Sequence, residues 1–297
     1  MPNIKDWISA ARLRTLPLSV SGIIVGSSLA LDKLFWISPI FWLAILTTIG
    51  FQVISNFAND YGDGVKGTDD HREGEKRLVA SGVISPKQMK KGIIYSSIIT
   101  LIIAVILIYN AFGNEDFLHS LLFFILGVTS IIAALKYTIG KNAYGYSGLG
   151  DVFVFLFFGL LSVLGSNYLF THELKWDLLL PASSIGLFSM AVLNLNNMRD
   201  IGNDKKNKKN TIVVSLGSSK AKIYHYILIC LGMALTLLYT GINYHSISQF
   251  TYSIAFIPLL MNLVTVYKNK EPKLLDSELK KVALSTFLFA ILFGFFH

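Results

Sequence analysis

The chain has 297 residues, 53% of them hydrophobic and only 15% charged, against roughly 25% charged in an ordinary soluble domain. Its mean hydropathy of +0.56 excludes a water-soluble fold of this length, which would have to expose much of its apolar excess, and describes an integral membrane protein. The net charge of +8 then belongs to one membrane face, and no nucleic-acid partner is expected.

A spanning helix needs ~20 mainly apolar residues. In chain order, nine runs meet that need: about 16–34, 40–58, 92–112, 117–137, 150–170, 178–198, 223–243, 250–267 and 281–297. The first is interrupted by Asp32 and Lys33, and its small residues (Ser19, Ser21, Gly22, Gly26, Ser27, Ser28) predict close helix packing. The N-terminal stretch lacks the order of a cleavable signal and is expected to be retained. With a cytoplasmic N-terminus, 24 of the 26 lysines and arginines fall on the inner side, leaving Lys33 and Lys175 outside. That partition supports nine helices with the N-terminus in, as a multi-pass protein of the cell inner (plasma) membrane. The whole chain, 1–297, reads as one all-α transmembrane domain.

Both long loops, 59–91 and 199–222, then face the cytoplasm, and each begins with an amide followed by acids. The second run ends in Asn59, Asp60 and Asp63, with Asp69 beyond. The sixth ends in Asn196 and Asp200, with Asp204 beyond, so the two copies are offset by 137 residues. An offset of four helices suggests a parallel repeat. Continued as a helix, Asn196, Asp200 and Asp204 would share one face, ~6 Å of rise apart. The first loop would have to turn back at Gly62, Gly64 and Gly67 to bring Asp69 and Asp70 round. Two bare carboxylates at that spacing repel by ~3 kcal/mol at an effective dielectric of ~20. Gathering Asp60, Asp63, Asp69, Asp200 and Asp204 therefore calls for a cation, and hard oxygen donors suit Mg2+ shared with substrate phosphate. Lys76, Arg77, Lys205 and Lys206 would suit the remaining phosphate oxygens. Either loop alone would read as solvated surface.

The spacing is neither that of an EF-hand nor that of a P-loop, where Thr68 stands in place of lysine. The third inner loop adds Tyr137, Lys141, Tyr144, Tyr146 and Asp151, which equally describe an interfacial aromatic belt. Cys230 and His119 read as packing residues. A lone cysteine excludes an intramolecular disulfide, and the six histidines have no zinc-binding spacing.

The stretches N-D-Y-G-D-G-V-K-G-T-D (59–69) and N-x-x-x-D-x-x-x-D (196–204) resemble the paired aspartate motifs of the UbiA-type intramembrane prenyltransferases. Three further segments, 11–19, 77–88 and 145–159, are most similar to the branch that prenylates 1,4-dihydroxy-2-naphthoate in menaquinone synthesis. The resemblance implies a UbiA-like helical bundle with its active site at the cytoplasmic end. It implies Mg2+ as cofactor, with polyprenyl diphosphate and 1,4-dihydroxy-2-naphthoate as substrates. The lipid bilayer is the setting, and no obligatory protein partner is expected. Residue by residue, it makes Asn59, Asp63 and Asp69 the first metal-holding motif and Asn196, Asp200 and Asp204 the second. Tyr137 would lie near the diphosphate, with Arg77 and Lys76 holding it; Asp60 would be a supporting ligand or proton acceptor. Two departures stand out. The last acid of the first motif comes at Asp69 rather than at Gly67, a variant that suits the menaquinone branch. The 139–143 segment also lacks the expected Gly-Pro-rich character, which leaves Lys141 and Tyr144 without a carried-over role.

Other aromatic acceptors, 4-hydroxybenzoate, homogentisate or haem, fit the same motifs. A cation-coupled transporter would also have parallel repeats and acids in its helices. Its site, however, would sit near the bilayer midplane, whereas these acids cluster at run ends.

Overall fold

The computed structural model describes residues 2–68, 77–114, 116–140 and 143–297. Among them every regular element is helical: α1 (Ile4–Ala11), α2 (Leu16–Leu31), α3 (Pro39–Lys66), α4 (Pro86–Phe112), α5 (Phe117–Lys136), α6 (Gly150–Val154), α7 (Ser162–Thr171), α8 (Leu179–Arg199), α9 (Ile201–Lys206), α10 (Ile212–Ile242), α11 (Phe256–Lys268) and α12 (Asp276–Phe296). A π-helical stretch, Phe155–Leu161, carries α6 into α7. Among the described residues, nine helical stretches are long and apolar enough to cross a membrane, and they coincide with the nine predicted runs.

The helices overrun several predicted boundaries, because hydropathy marks where lipid is tolerated and not where hydrogen bonding stops. α3 continues eight residues past 58 and carries Asn59, Asp60 and Asp63 on helix. α4 starts at Pro86, where Ser85 and Gln88 form a reciprocal capping box. Of the three glycines expected to turn the chain, Gly67 is the one that breaks the helix; the path to Asp69 and Asp70 lies outside the described residues. Gly67, with φ 72°, ends α3: its N–H bonds to the Gly64 carbonyl and the Thr68 N–H to the Asp63 carbonyl, the two bonds of a Schellman cap. Gly62 and Gly64 stay helical and serve packing; a Cβ on them would lie 2.6 Å from Thr138 Oγ1 and 2.8 Å from Val79 Cγ1. The continuous helix expected through Asn196, Asp200 and Asp204 does not form. α8 ends at Arg199, Asp200 closes it with φ −93° and ψ 6°, and Asp204 stands on the separate α9.

The chain divides into two compact units, Met1–Leu16, Leu43–Gly150 and Gly202–Thr211 in one, and Pro17–Trp42, Asp151–Ile201 and Ile212–His297 in the other. The first is centred on Ile54, Phe57 and Ala58 of α3, packed with Met89 and Ile93 of α4 and Ile131 of α5. α1 is fastened to that core: Trp7 meets Phe57 edge-on at 5.5 Å, Gly92 leaves room for the indole, and Asn56 Nδ2 donates to the Ala11 carbonyl.

In the second unit Phe188 of α8 is fully buried and packs edge-on against Phe256 and Phe289. Gly232 of α10 makes room for its ring. A buried polar chain ties α10, α11 and α12 together. His225 Nε2 lies 2.7 Å from Asn262 Oδ1, Asn262 Nδ2 donates to Glu278, and Lys281 pairs with Glu278. The small residues of α2 do pack closely, as expected: an added Cβ at Gly22 would fall on the Ser162 hydroxyl, and one at Gly26 would lie 2.2 Å from the Val163 carbonyl. His119 stacks on Phe112 as a packing residue. Cys230, by contrast, is exposed on α10, which corrects the packing expectation.

Because the Val163 carbonyl is backbone and cannot swing away, Gly26→Ala should cost about 1–3 kcal/mol of stability. Gly241, with no neighbour within 4 Å of its would-be Cβ, should accept alanine without loss. Thermal unfolding of both variants in detergent checks this, and equal midpoints would refute the close approach of α2.

Candidate active site

In the first unit the end of α3 sets the geometry. Asn59 and Asp63 are one helical turn apart and share a face, while Asp60 points about 100° away. The Asp60 carboxylate accepts the backbone N–H groups of Leu78 and Val79, both at 3.1 Å. It thereby anchors the 77–82 turn, whose own bonds run from Ser81 N to Arg77 O and from Ile84 N to Leu78 O. Asp60 thus holds the segment that presents the buried Arg77.

Asp63 and Asp204 are 2% and 3% exposed, so each needs compensation for leaving water. Tyr146 Oη donates to Asp63 Oδ1 at 2.8 Å. An ionised carboxylate only accepts, so Thr68, 2.8 Å from the same phenol oxygen, donates to Tyr146. Lys209 Nζ stands 3.9 Å from both Asp63 Oδ2 and Asp204 Oδ1, beyond hydrogen-bond range, and lies over the Tyr146 ring, 5.4 Å from its centroid. Lys66 donates to the Thr138 carbonyl and lies over the Tyr146 ring, 4.1 Å from its centroid. Asn203 and Asn207 side chains donate to the Thr68 carbonyl at 3.0 and 3.3 Å, tying residues 202–211 to the end of α3. Asn59 Oδ1 is buried with no hydrogen-bond partner among the described residues.

This donor set fits Mg2+: hard carboxylate and amide oxygens, one of them an orphaned acceptor, beside two acids that share a loosely held ammonium. Among the described residues no three histidine, cysteine, aspartate or glutamate side chains gather at one point. Mg2+ does not require such a cage, since it keeps waters and takes one or two carboxylates plus substrate phosphate.

In the second unit one guanidinium organises the other motif. Arg199 Nε and Nη2 donate to the two oxygens of Asp200, both at 2.8 Å, and Nη2 also donates to Asn196 Oδ1 at 2.8 Å. Nη1 donates to Asp276 at the start of α12. The fork is bidentate, the strongest arrangement of this pair.

Other expected residues take different places. Asp69, Lys76 and Lys141 lie outside the described residues. Lys205 is exposed; Lys209 is the α9-side lysine that reaches the acids. Tyr137 packs edge-on against Tyr144 at 5.3 Å, and Tyr146 is the tyrosine bonded to Asp63. Burial, and secondarily Tyr137, pushes the Tyr144 phenol above its ordinary range, consistent with a hydroxyl that donates to the Ala133 carbonyl. Asp151 accepts from Tyr224 Oη within the second unit. Lys209, Lys66, Arg199 and Asp276 were not singled out from the sequence. Arg199 had a local signal, lying three residues after Asn196 and one before Asp200; Asp276 had none.

Residues 19–293 match the UbiA prenyltransferase family. The 1,4-dihydroxy-2-naphthoate octaprenyltransferase of Haemophilus influenzae is 39% identical over 98% of this chain and 95% of its own. The enzyme of the same name from Escherichia coli K12 is 39% identical over 96% and 94%. Among solved structures, a UbiA homolog from Archaeoglobus fulgidus bound to GPP and Mg2+ is similar with a TM-score of 0.68, covering 97% of this chain and 99% of that one. At 14% identity that likeness speaks to fold alone.

If Asp60 anchors the 77–82 turn, Asp60→Ala leaves two buried amides unbonded at about 1–3 kcal/mol. Hydrogen exchange at Leu78 and Val79 should then quicken by roughly 10- to 100-fold, with α8 unaffected. Unchanged exchange at those two amides would remove the anchoring role.

Proposed function

The chain belongs to the UbiA prenyltransferase family, and on that premise we propose that it transfers a polyprenyl group from polyprenyl diphosphate to 1,4-dihydroxy-2-naphthoate. Diphosphate and CO2 are released, and the product is demethylmenaquinol. The acceptor rests on the near-full-length likeness to the naphthoate octaprenyltransferases. The observation that carries the chemistry is the buried pair Asp63 and Asp204 about Lys209, with the orphaned Asn59 oxygen beside it. Asp63 lies at the end of an apolar helix and Asp204 on a short helix outside the spans, which favours an interfacial reaction over cation-coupled transport.

In this reading Asn59, Asp63 and Asp69 hold Mg2+ at the first motif, and Asn196, Asp200 and Asp204 at the second. When bound, the metal neutralises the diphosphate as its allylic C–O bond breaks. The protein's own groups do the rest. Arg77, held in place through Asp60, and Lys209 bind diphosphate oxygens, with Lys76 and Lys205 as further cations of the same loops. Tyr146 keeps Asp63 oriented by its hydrogen bond. The electron-rich naphthoate ring attacks the allylic carbon, diphosphate leaves, and the ring regains aromaticity as its carboxylate departs as CO2. The apolar surroundings keep water from quenching the allylic cation. The lysine and arginine partition supports a cytoplasmic N-terminus, with both acidic loops on the cytoplasmic side of the inner membrane.

The test is turnover of the full chain in detergent or liposomes with both substrates. Chelation should abolish it and Mg2+ restore it, and Asp63→Asn should lower it by about 10²–10³-fold with the protein still folded. Wild-type turnover in Asp63→Asn would refute the metal-site reading. Diphosphate release only with a different aromatic would move the acceptor and keep the chemistry.

A further inference from the structure

The polar chain of the second unit has a direction, and that direction leaves one ring nitrogen in need of a donor. Lys281 donates to Glu278 Oε1 and Asn262 Nδ2 to Glu278 Oε2. A carboxylate paired with an ammonium only accepts, so Asn262 turns its nitrogen to Glu278 and its oxygen to His225. Asn262 Oδ1 lies 2.7 Å from His225 Nε2, which makes Nε2 the nitrogen that carries the proton. Nδ1 of the neutral ring is then a bare acceptor. It is buried with no hydrogen-bond partner among the described residues.

A second bare acceptor stands beside it. Asn194 of α8 is 0% exposed, as is His225. Asn194 Nδ2 donates to the Ala221 carbonyl at 3.1 Å, which leaves Oδ1 as an acceptor, again buried without a partner among the described residues. Ala221 and His225 are one turn apart on α10, and the helical i→i−4 bond brings the His225 N–H to that same carbonyl. A helical side chain leans back over the turn before its own, so the ring of His225 leans toward the turn that holds the Asn194 amide. Two acceptors cannot satisfy each other, and both need a donor. Water is the smallest molecule with two donors, and buried waters sit where otherwise unpaired polar groups converge.

We propose that Asn194 and His225 form a binding site for one buried water, which donates one proton to Asn194 Oδ1 and the other to His225 Nδ1 and so joins α8 to α10. The bridged chain then runs from α8 through α10 and α11 to α12. Asn262 stands in its middle, and a carboxamide has no ionisable group through which to pass a proton, so the chain is a brace and not a proton path. It holds α8 two residues before Asn196. The site needs neither metal nor substrate to fill, so it stands apart from the reaction proposed above.

Ring-nitrogen resonances test this on the full chain, isotopically labelled at histidine and tyrosine and studied in liposomes by solid-state NMR. His225–Tyr226 is the one His–Tyr step in the sequence, so its peptide bond assigns the ring without any variant. Nε2 should be protonated and Nδ1 not. At short contact times Nδ1 should take up polarisation from water protons, and that transfer should be lost in deuterated water. Asn194→Leu removes the second acceptor at similar volume, while the Ala221 carbonyl keeps its helical bond. In that variant Nδ1 should lose the water-derived signal and Nε2 should keep its proton. A protonated Nδ1 in the wild type, or a bare Nδ1 that takes up nothing from water, would overturn the proposal. So would a water-derived signal as strong in Asn194→Leu as in the wild type, since Asn194 would then be no part of the site.

Discussion

A carboxylate buried at the end of an apolar helix cannot be left alone, because the cost of taking an unpaired charge out of water exceeds what packing returns. Among the described residues both units set two acids about a basic side chain. In the first, Asp63 and Asp204 share Lys209 at 3.9 Å from each. In the second, Asp200 and Asp276 share Arg199 at hydrogen-bond distance. The chemistry of the two bases differs in a useful way. An ammonium is a point charge on a flexible stem, whereas a forked guanidinium fixes orientation. The first site is therefore the more readily rearranged, the second the more firmly set.

The helices around these charges are built to bring backbone close. Gly22 and Gly26 let α2 lie against α7, and Gly159 of the π-helical stretch approaches Gly186 of α8, where a Cβ would sit 2.7 Å from its Cα. With no hydrophobic drive between helices in lipid, such close contact and the internal polar bonds carry more of the association. The His225–Asn262–Glu278 chain adds hydrogen bonds that an apolar solvent cannot replace.

What was legible in the sequence is what local pattern encodes. Nine apolar runs announce nine helices because ~20 residues of hydrocarbon are a signal each run carries alone. The Asn59–Asp63 face followed from helical period. The pairing of Asp60 with the Leu78 and Val79 amides was not legible, since nothing in D-Y-G-D says which acid turns toward a loop 18 residues on. Neither was the end of α8 at Arg199, where M-R-D-I-G-N-D holds no proline to stop a helix. Tyr146 stood among several tyrosines of one loop, and only the tertiary placement of Thr68 and Asp63 distinguishes it from Tyr137. Asp276 is the extreme case, a partner defined wholly by the fold.

The tie between residues 202–211 and the end of α3 is made to a carbonyl, that of Thr68, by two asparagine amides. A carbonyl belongs to every amino acid, so this tether tolerates any residue type at position 68 that keeps the backbone path, although the hydroxyl bond to Tyr146 does not. What the tether cannot tolerate is a change of chain length between Gly64 and Thr68, which would move the carbonyl itself. Drift in this segment should therefore take the form of substitution, with insertions and deletions excluded from the cap of α3.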